Sequence, residues 1–85
     1  MLHILFHGSA SKELLRIPKK HRLVIVEEID RLHECNHPLE HRRVIKLGGK
    51  DNAFRLRVGD YRIKFEIRDN NILLIVHVEH RQVGY

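Results

Sequence analysis

Cysteine and long apolar runs are scarce in this chain, and each scarcity removes a class of protein. Cys35 is the one cysteine among 85 residues, so no disulfide can close within the chain and a reducing cytosol is the natural compartment. Nowhere do about 18 apolar residues run together as a membrane span requires. The opening stretch Met1-Leu2-His3-Ile4-Leu5-Phe6-His7 turns polar too quickly for a secretory signal. A cytoplasmic protein with no membrane partner is therefore expected. Repeats, low-complexity tracts and linkers are also missing, and the length leaves room for one domain, residues 1–85. Carboxylates do not cluster beside the most basic stretch. Glu66 and Glu79 stand apart, which argues against a two-metal nuclease and predicts no cofactor.

Positive charge is what the chain has in excess. Sixteen Lys and Arg face eleven Asp and Glu, a formal charge of +5, and residues 42–68 hold nine of the cations against three carboxylates. A local excess of this kind is the electrostatic footprint of a nucleic-acid binder.

The footprint centres on residues 54–67. Phe54, Leu56 and Val58 alternate with Arg55 and Arg57, and Tyr61, Ile63, Phe65 and Ile67 alternate with Arg62, Lys64 and Glu66, so both halves read as strands with one apolar and one charged face. Gly59-Asp60 between them suits a type II′ hairpin turn, with glycine first. That turn predicts the pairs Val58 with Tyr61, Arg57 with Arg62, Leu56 with Ile63 and Arg55 with Lys64. Side chains directly opposite one another lie ~5 Å apart, and like charges there destabilise the hairpin. Four cations in a two-by-two array suit an anion with several phosphates, which arginine forks bind through paired oxygens.

Around this hairpin, Leu2 to Phe6 reads as a first strand ending at Gly8. Ser9 or Ser11 is placed to cap a helix through Leu14, Leu15 and Ile17, and Pro18 to end it and begin a second. Ile25, Ile29 and Leu32 form the apolar stripe of that second helix, with Glu27, Glu28 and Arg31 outward. Val44-Ile45-Lys46-Leu47 is a short strand, and Ile72 to Val76, apolar on both sides, is an interior one. A turn at Asn70-Asn71 would pair Phe65 with Val76, Ile63 with Val78 and Arg62 with Glu79. A turn at Asp69-Asn70 would put His77 opposite Arg62. The expected class is α+β: strand, helical hairpin, then a mostly antiparallel sheet of four to five strands in the order β-α-α-β-β-β-β. His33, Cys35, His37 and His41 are all zinc-ligating types, but their spacing matches no standard finger and no metal site is expected.

Lys-Glu-Leu-Leu-Arg-Ile-Pro-Lys (12–19), Ile-Lys-Leu-Gly-Gly (45–49), Phe-Arg-Leu-Arg-Val-Gly-Asp-Tyr-Arg-Ile (54–63) and Val-Glu-His-Arg-Gln-Val-Gly-Tyr (78–85) resemble the RelE/ParE toxin superfamily. The resemblance implies a toxin of a type II pair with a cognate antitoxin as partner. RelE-like members enter the ribosomal A site and cleave mRNA, so ribosome and mRNA are implied partners, whereas ParE-like members share the fold and poison DNA gyrase. A third alternative is a degenerate member that only binds RNA or antitoxin. The RelE branch's basic residues before the turn map to Arg55 and Arg57, its arginine after the turn to Arg62, and its C-terminal pair to Arg81 and Tyr85. This chain has arginines where the best-studied branch has lysines, and Glu79 where the family usually has glycine.

Cleavage of RNA through its own 2′-hydroxyl needs that oxygen deprotonated, the phosphorane stabilised and the 5′-oxygen protonated. Arg57, Arg62 and Arg81 are assigned to the scissile phosphate. Arg55, Lys64 and Lys46 are assigned to RNA binding, and Tyr85 to stacking on a base. His80 is the candidate acid or base, with Glu79 or His77 replacing it if His80 turns toward the core. By strand parity His80 would face the core unless the strand ends near Glu79.

Overall fold

A computed structural model describes residues 1–49, 51–69 and 71–82. The elements run β1 (His3–Phe6), α1 (Gly8–Arg16), α2 (Lys19–Glu34), a 3-10 turn at Pro38–Glu40, then β2 (Val44–Lys46), β3 (Ala53–Val58), β4 (Tyr61–Arg68) and β5 (Ile72–His80). They form one five-stranded sheet in the order β1-β5-β4-β3-β2. Only the β1–β5 pair is parallel; the rest is antiparallel. The class is α+β, in the element order the pattern predicts.

The helices form where apolar spacing and breakers put them, with two corrections in detail. Helix α1 is capped by His7, not by Ser9 or Ser11: the His7 ring Nδ1 accepts the Ser9 backbone N–H at 3.2 Å. Any side chain presenting an acceptor at that position can satisfy an orphan N–H of the first turn. Pro18 is the residue before α2, with Lys19 its first helical residue. The Arg22 guanidinium donates to the carbonyls of Leu15 and Ile17, closing the end of α1. Ile25, Ile29 and Leu32 are buried against Leu56, Ile63, Phe65 and Ile75 of the sheet. Phe54 and Phe65 stack at 5.6 Å in the same layer.

The β3–β4 hairpin has the expected register throughout. Gly59 has φ +57, and Asp60 has no positive φ, which is the type II′ pattern. The β4–β5 pair departs from expectation at one place. Arg62 faces Glu79 and Ile63 faces Val78, but beyond Lys64 the register shifts and Phe65 faces Ile75 instead of Val76. The extra residue, Val76, is a bulge that keeps both Phe65 and Ile75 in the core. Beyond the end of β1, the free edge of β5 is covered by α1, where the Glu13 carboxylate accepts the Val78 N–H at 3.0 Å. No helix among the described residues is long and apolar enough to cross a membrane.

Candidate nucleic-acid interface

Both helices pack on one side of the sheet, and alternation sends every second residue of β3, β4 and β5 to the other, uncovered side. Two rows of side chains cross that open face. One is Arg57, Arg62 and Glu79; the other is Ile45, Arg55, Lys64 and His77. Arg55, Arg57, Gly59, Asp60, Arg62 and Arg81 line a shallow cleft of about 140 Å³ at the hairpin end of this face. Three of the expected site residues, Arg57, Arg62 and Arg81, are thus brought together with Arg55, and Lys64 stands beside Arg55 in register.

Among the described residues, Glu79 and Asp60 place counter-charge beside these cations. Lys64 Nζ lies 2.9 Å from Glu79 Oε1, at an angle that makes the contact an ion pair without an aligned hydrogen bond. Asp60 accepts the Arg81 backbone N–H through its carbonyl and places a carboxylate oxygen 3.5 Å from Arg81 Nε. Arg55 Nε is buried and has no hydrogen-bond partner among the described residues, a cost of roughly 1–3 kcal/mol that an incoming acceptor would relieve. Glu66 is tied to Arg68 at 2.6 Å, away from the cleft.

Two expected site residues lie on the opposite side. Strand β5 continues through His80, which pairs with Tyr61, so parity turns the imidazole toward the helices. There it meets the Tyr61 ring edge-on at 5.1 Å, and its Nδ1 accepts the Gln82 N–H. Tyr61 packs in turn against His21 at 5.7 Å. Lys46 faces Phe54, which places it on the helix side of β2, 4.0 Å from Asp51. Its neighbour Ile45, 47% exposed, is the residue that stands beside Arg55. Tyr85 lies outside the described residues.

Three residues of this region carried no sequence signal strong enough to select them. Arg57 donates its N–H to the Arg43 carbonyl at 3.1 Å, so the β2–β3 ladder runs one step further and brings Arg43 beside Arg57. Asp60 looked like a turn residue only. Glu28, expected outward, is half-buried: His41 Nδ1 accepts the Arg43 N–H at 3.1 Å, so its Nε2–H is left to donate to Glu28 Oε1 at 3.0 Å. The alternation that flags strand residues does not reach the connectors that hold Arg43 and Asp60, and Glu28 lies on the polar side of α2, where only its tertiary partner His41 marks it.

Among the described residues no three His, Cys, Asp or Glu side chains are gathered to hold a metal ion. His33 donates to the Leu2 carbonyl, His37 accepts the Leu39 N–H at 3.1 Å, and His41 is taken by Glu28. Burial pushes the Cys35 thiol up from its ordinary value, with Glu40 and Glu34 adding to the shift.

A single five-stranded sheet with a helical hairpin on one face is the fold shared with the RelE/ParE toxins. Residues 4–85 match the family model described as the ParE toxin of the type II toxin-antitoxin system, parDE. The chain belongs to that family of type II toxins, within the RelE/ParE superfamily. It is similar to a chain of the RelB-RelE antitoxin-toxin complex from Methanococcus jannaschii, at 28% identity and TM-score 0.77, covering 92% of this chain and 91% of that one. It is similar to a chain of the archaeal RelE-RelB complex from Pyrococcus horikoshii OT3, at 29% identity and TM-score 0.77, covering 94% of each. The isolated E. coli RelE toxin shares the fold at TM-score 0.80 and 16% identity, over 94% of this chain and 84% of that one. No curated protein sequence matches the chain.

Proposed function

We propose that this toxin is a ribosome-dependent endoribonuclease that cuts mRNA in the A site by attack of the RNA's own 2′-hydroxyl, without a metal. The observation that carries the reading is the in-register opposition of Arg57 to Arg62 and of Arg55 to Lys64 on an uncovered sheet face. Folding alone disfavours such pairs. A phosphorane, with its extra negative charge, is stabilised by them.

The 2′-oxygen loses its proton and bonds to the adjacent phosphorus. The bond to the 5′-oxygen breaks, that oxygen takes up a proton, and a 2′,3′-cyclic phosphate remains. Arg57, Arg62 and Arg81 hold the non-bridging oxygens, with Arg55 and Lys64 on flanking phosphates. An arginine does not accept the 2′-proton, because its pKa stays above about 12. With His80 turned to the helix side, Glu79, facing Arg62 on the open face, takes the acceptor role. A site this poor in bases gains from a ribosome that aligns the 2′-hydroxyl in advance. A cognate antitoxin is the expected partner, since the archaeal relatives were solved as antitoxin-toxin complexes.

The test is cleavage of an mRNA on programmed ribosomes in EDTA, with the cut and its end group mapped. A cut in the A-site codon leaving a cyclic phosphate, and abolished by Arg81→Ala, is the expected result. No cut by folded, antitoxin-free protein overturns it. The match to the ParE family model favours a second reading, inhibition of DNA gyrase. Loss of gyrase supercoiling at stoichiometric toxin, with ribosomal mRNA intact, would establish that one instead.

A further inference from the structure

A second cleft, of about 470 Å³, lies on the far side of the hairpin turn, with Val24, Glu28, His41, Arg42, Arg43 and Gly59 on its walls. We infer that this cleft takes a flanking segment of the same RNA strand, with Arg42 and Arg43 as its phosphate ligands. The inference rests on the ribonuclease reading above and extends its binding track by one subsite.

Four features point there. The two clefts share Gly59, and a Cβ built on Gly59 would meet nothing within 4 Å, so the ridge between them carries no side chain to obstruct a strand. Arg43 is fixed beside Arg57 by the backbone hydrogen bond of 3.1 Å, an adjacent-strand spacing of about 5 Å. One phosphate-to-phosphate step of an RNA chain covers that gap. Next, the carboxylates of the second cleft are already engaged. Glu28 Oε1 accepts from His41 and Oε2 from Arg31 at 3.2 Å, while Glu40 Oε1 accepts the Asn36 N–H at 2.9 Å. Arg42 and Arg43 are exposed, and neither guanidinium has an ion-pair or hydrogen-bond partner among the described residues.

Finally, the backbone that carries these arginines is anchored with unusual care. His41 is 9% exposed, and it is the one polar or charged side chain in the buried set among the described residues. Its two ring nitrogens tie the Arg43 N–H to Glu28 of α2, so the connector cannot drift while its two cations stay free in solvent. Val24 and Val58 give the cleft an apolar floor against which a ribose or base face can lie.

The test measures binding of single-stranded, 2′-O-methyl RNA, which resists cleavage, as a function of salt for a 3-mer and a 9-mer. The variants are Arg42→Gln/Arg43→Gln and, as a control in the first cleft, Arg57→Gln. Each phosphate contact on single-stranded RNA contributes about 0.7 to the log–log salt slope. The double variant should lower the 9-mer slope by roughly 1.4 and leave the 3-mer unchanged, whereas Arg57→Gln lowers both. An unchanged 9-mer slope in the double variant overturns the inference alone. Equal losses on 3-mer and 9-mer overturn it too, because the arginines would then serve the first cleft. A wild-type protein with no salt-dependent binding to either RNA overturns this inference, while the ribonuclease reading stands or falls separately on the programmed-ribosome assay.

Discussion

Asp60 grips Arg81 at two points, its carbonyl oxygen 2.8 Å from the Arg81 backbone nitrogen and its carboxylate 3.5 Å from Nε. The hairpin turn thereby fixes a residue that follows β5 against the end of β3. Asp60→Asn keeps the turn but weakens the side-chain contact and removes a negative charge from the cleft. RNA binding should hold or tighten while cleavage falls about tenfold, or ~1.4 kcal/mol. The pair is half-exposed, so the melting temperature should move by no more than about 2 °C. Cleavage and binding rising together would show that Asp60 acts only through its charge.

Arg55 predicts a trade between stability and function. Its Nε is buried without a partner among the described residues, and its neighbour across the hairpin is Lys64. Arg55→Met keeps the length of the side chain and removes both liabilities. The free protein should gain up to about 1 kcal/mol in urea unfolding and lose affinity for RNA. A loss of stability instead would mean that the guanidinium stem packs in a way methionine cannot.

Gly59→Ala isolates backbone strain. The site has φ +57 and open space around a new Cβ, so no clash contributes. The cost should be about 1–3 kcal/mol, from the positive φ of the turn alone. Equilibrium unfolding reads it directly, and a neutral result would mean that the turn relaxes to another type.

Phe65 sits at 1% exposure in the centre of the core and stacks on Phe54. Phe65→Ala should cost about 3–5 kcal/mol, enough to unfold a domain of this size at 37 °C. Circular dichroism melts of the variant check it.

Cys35 should prove a poor nucleophile. Burial raises its pKa above the reference 9.0, so the thiol stays protonated at neutral pH. Iodoacetamide labelling at pH 8 should run slower than that of a free thiol, and keep accelerating beyond the pH at which the free thiol levels off. The sign for stability follows: a raised folded-state pKa favours the fold below the unfolded value, and that contribution fades as pH climbs through the folded one.

The hairpin was legible because three local signals agreed: alternation, a glycine-first turn and the apolar set on one face. The helix stripe of Ile25, Ile29 and Leu32 was legible for the same reason. Ile72 to Val76 offered no such agreement. A strand apolar on both sides fits either register, and only packing of Phe65 against Ile75 selects the bulge at Val76. His80 followed parity once the strand proved continuous. His7, a histidine doing the work of a serine cap, and His41, a buried histidine in a connector, depend on tertiary neighbours that spacing does not encode. Lys46 was misplaced because a three-residue strand has too few alternations to reveal its faces.

Strand β5, fifth in chain order, lies between β1 and β4. A partial chain that stops before Ile72 therefore has a first strand with nothing to pair with and a β2–β3–β4 meander with one flank bare. Such a fragment cannot hold the helices in place, nor bring Arg81 to Asp60. Closing the sheet therefore waits on long-range pairing of β5 with both β1 and β4, and the contact that joins Arg81 to Asp60 exists only once β5 is in place.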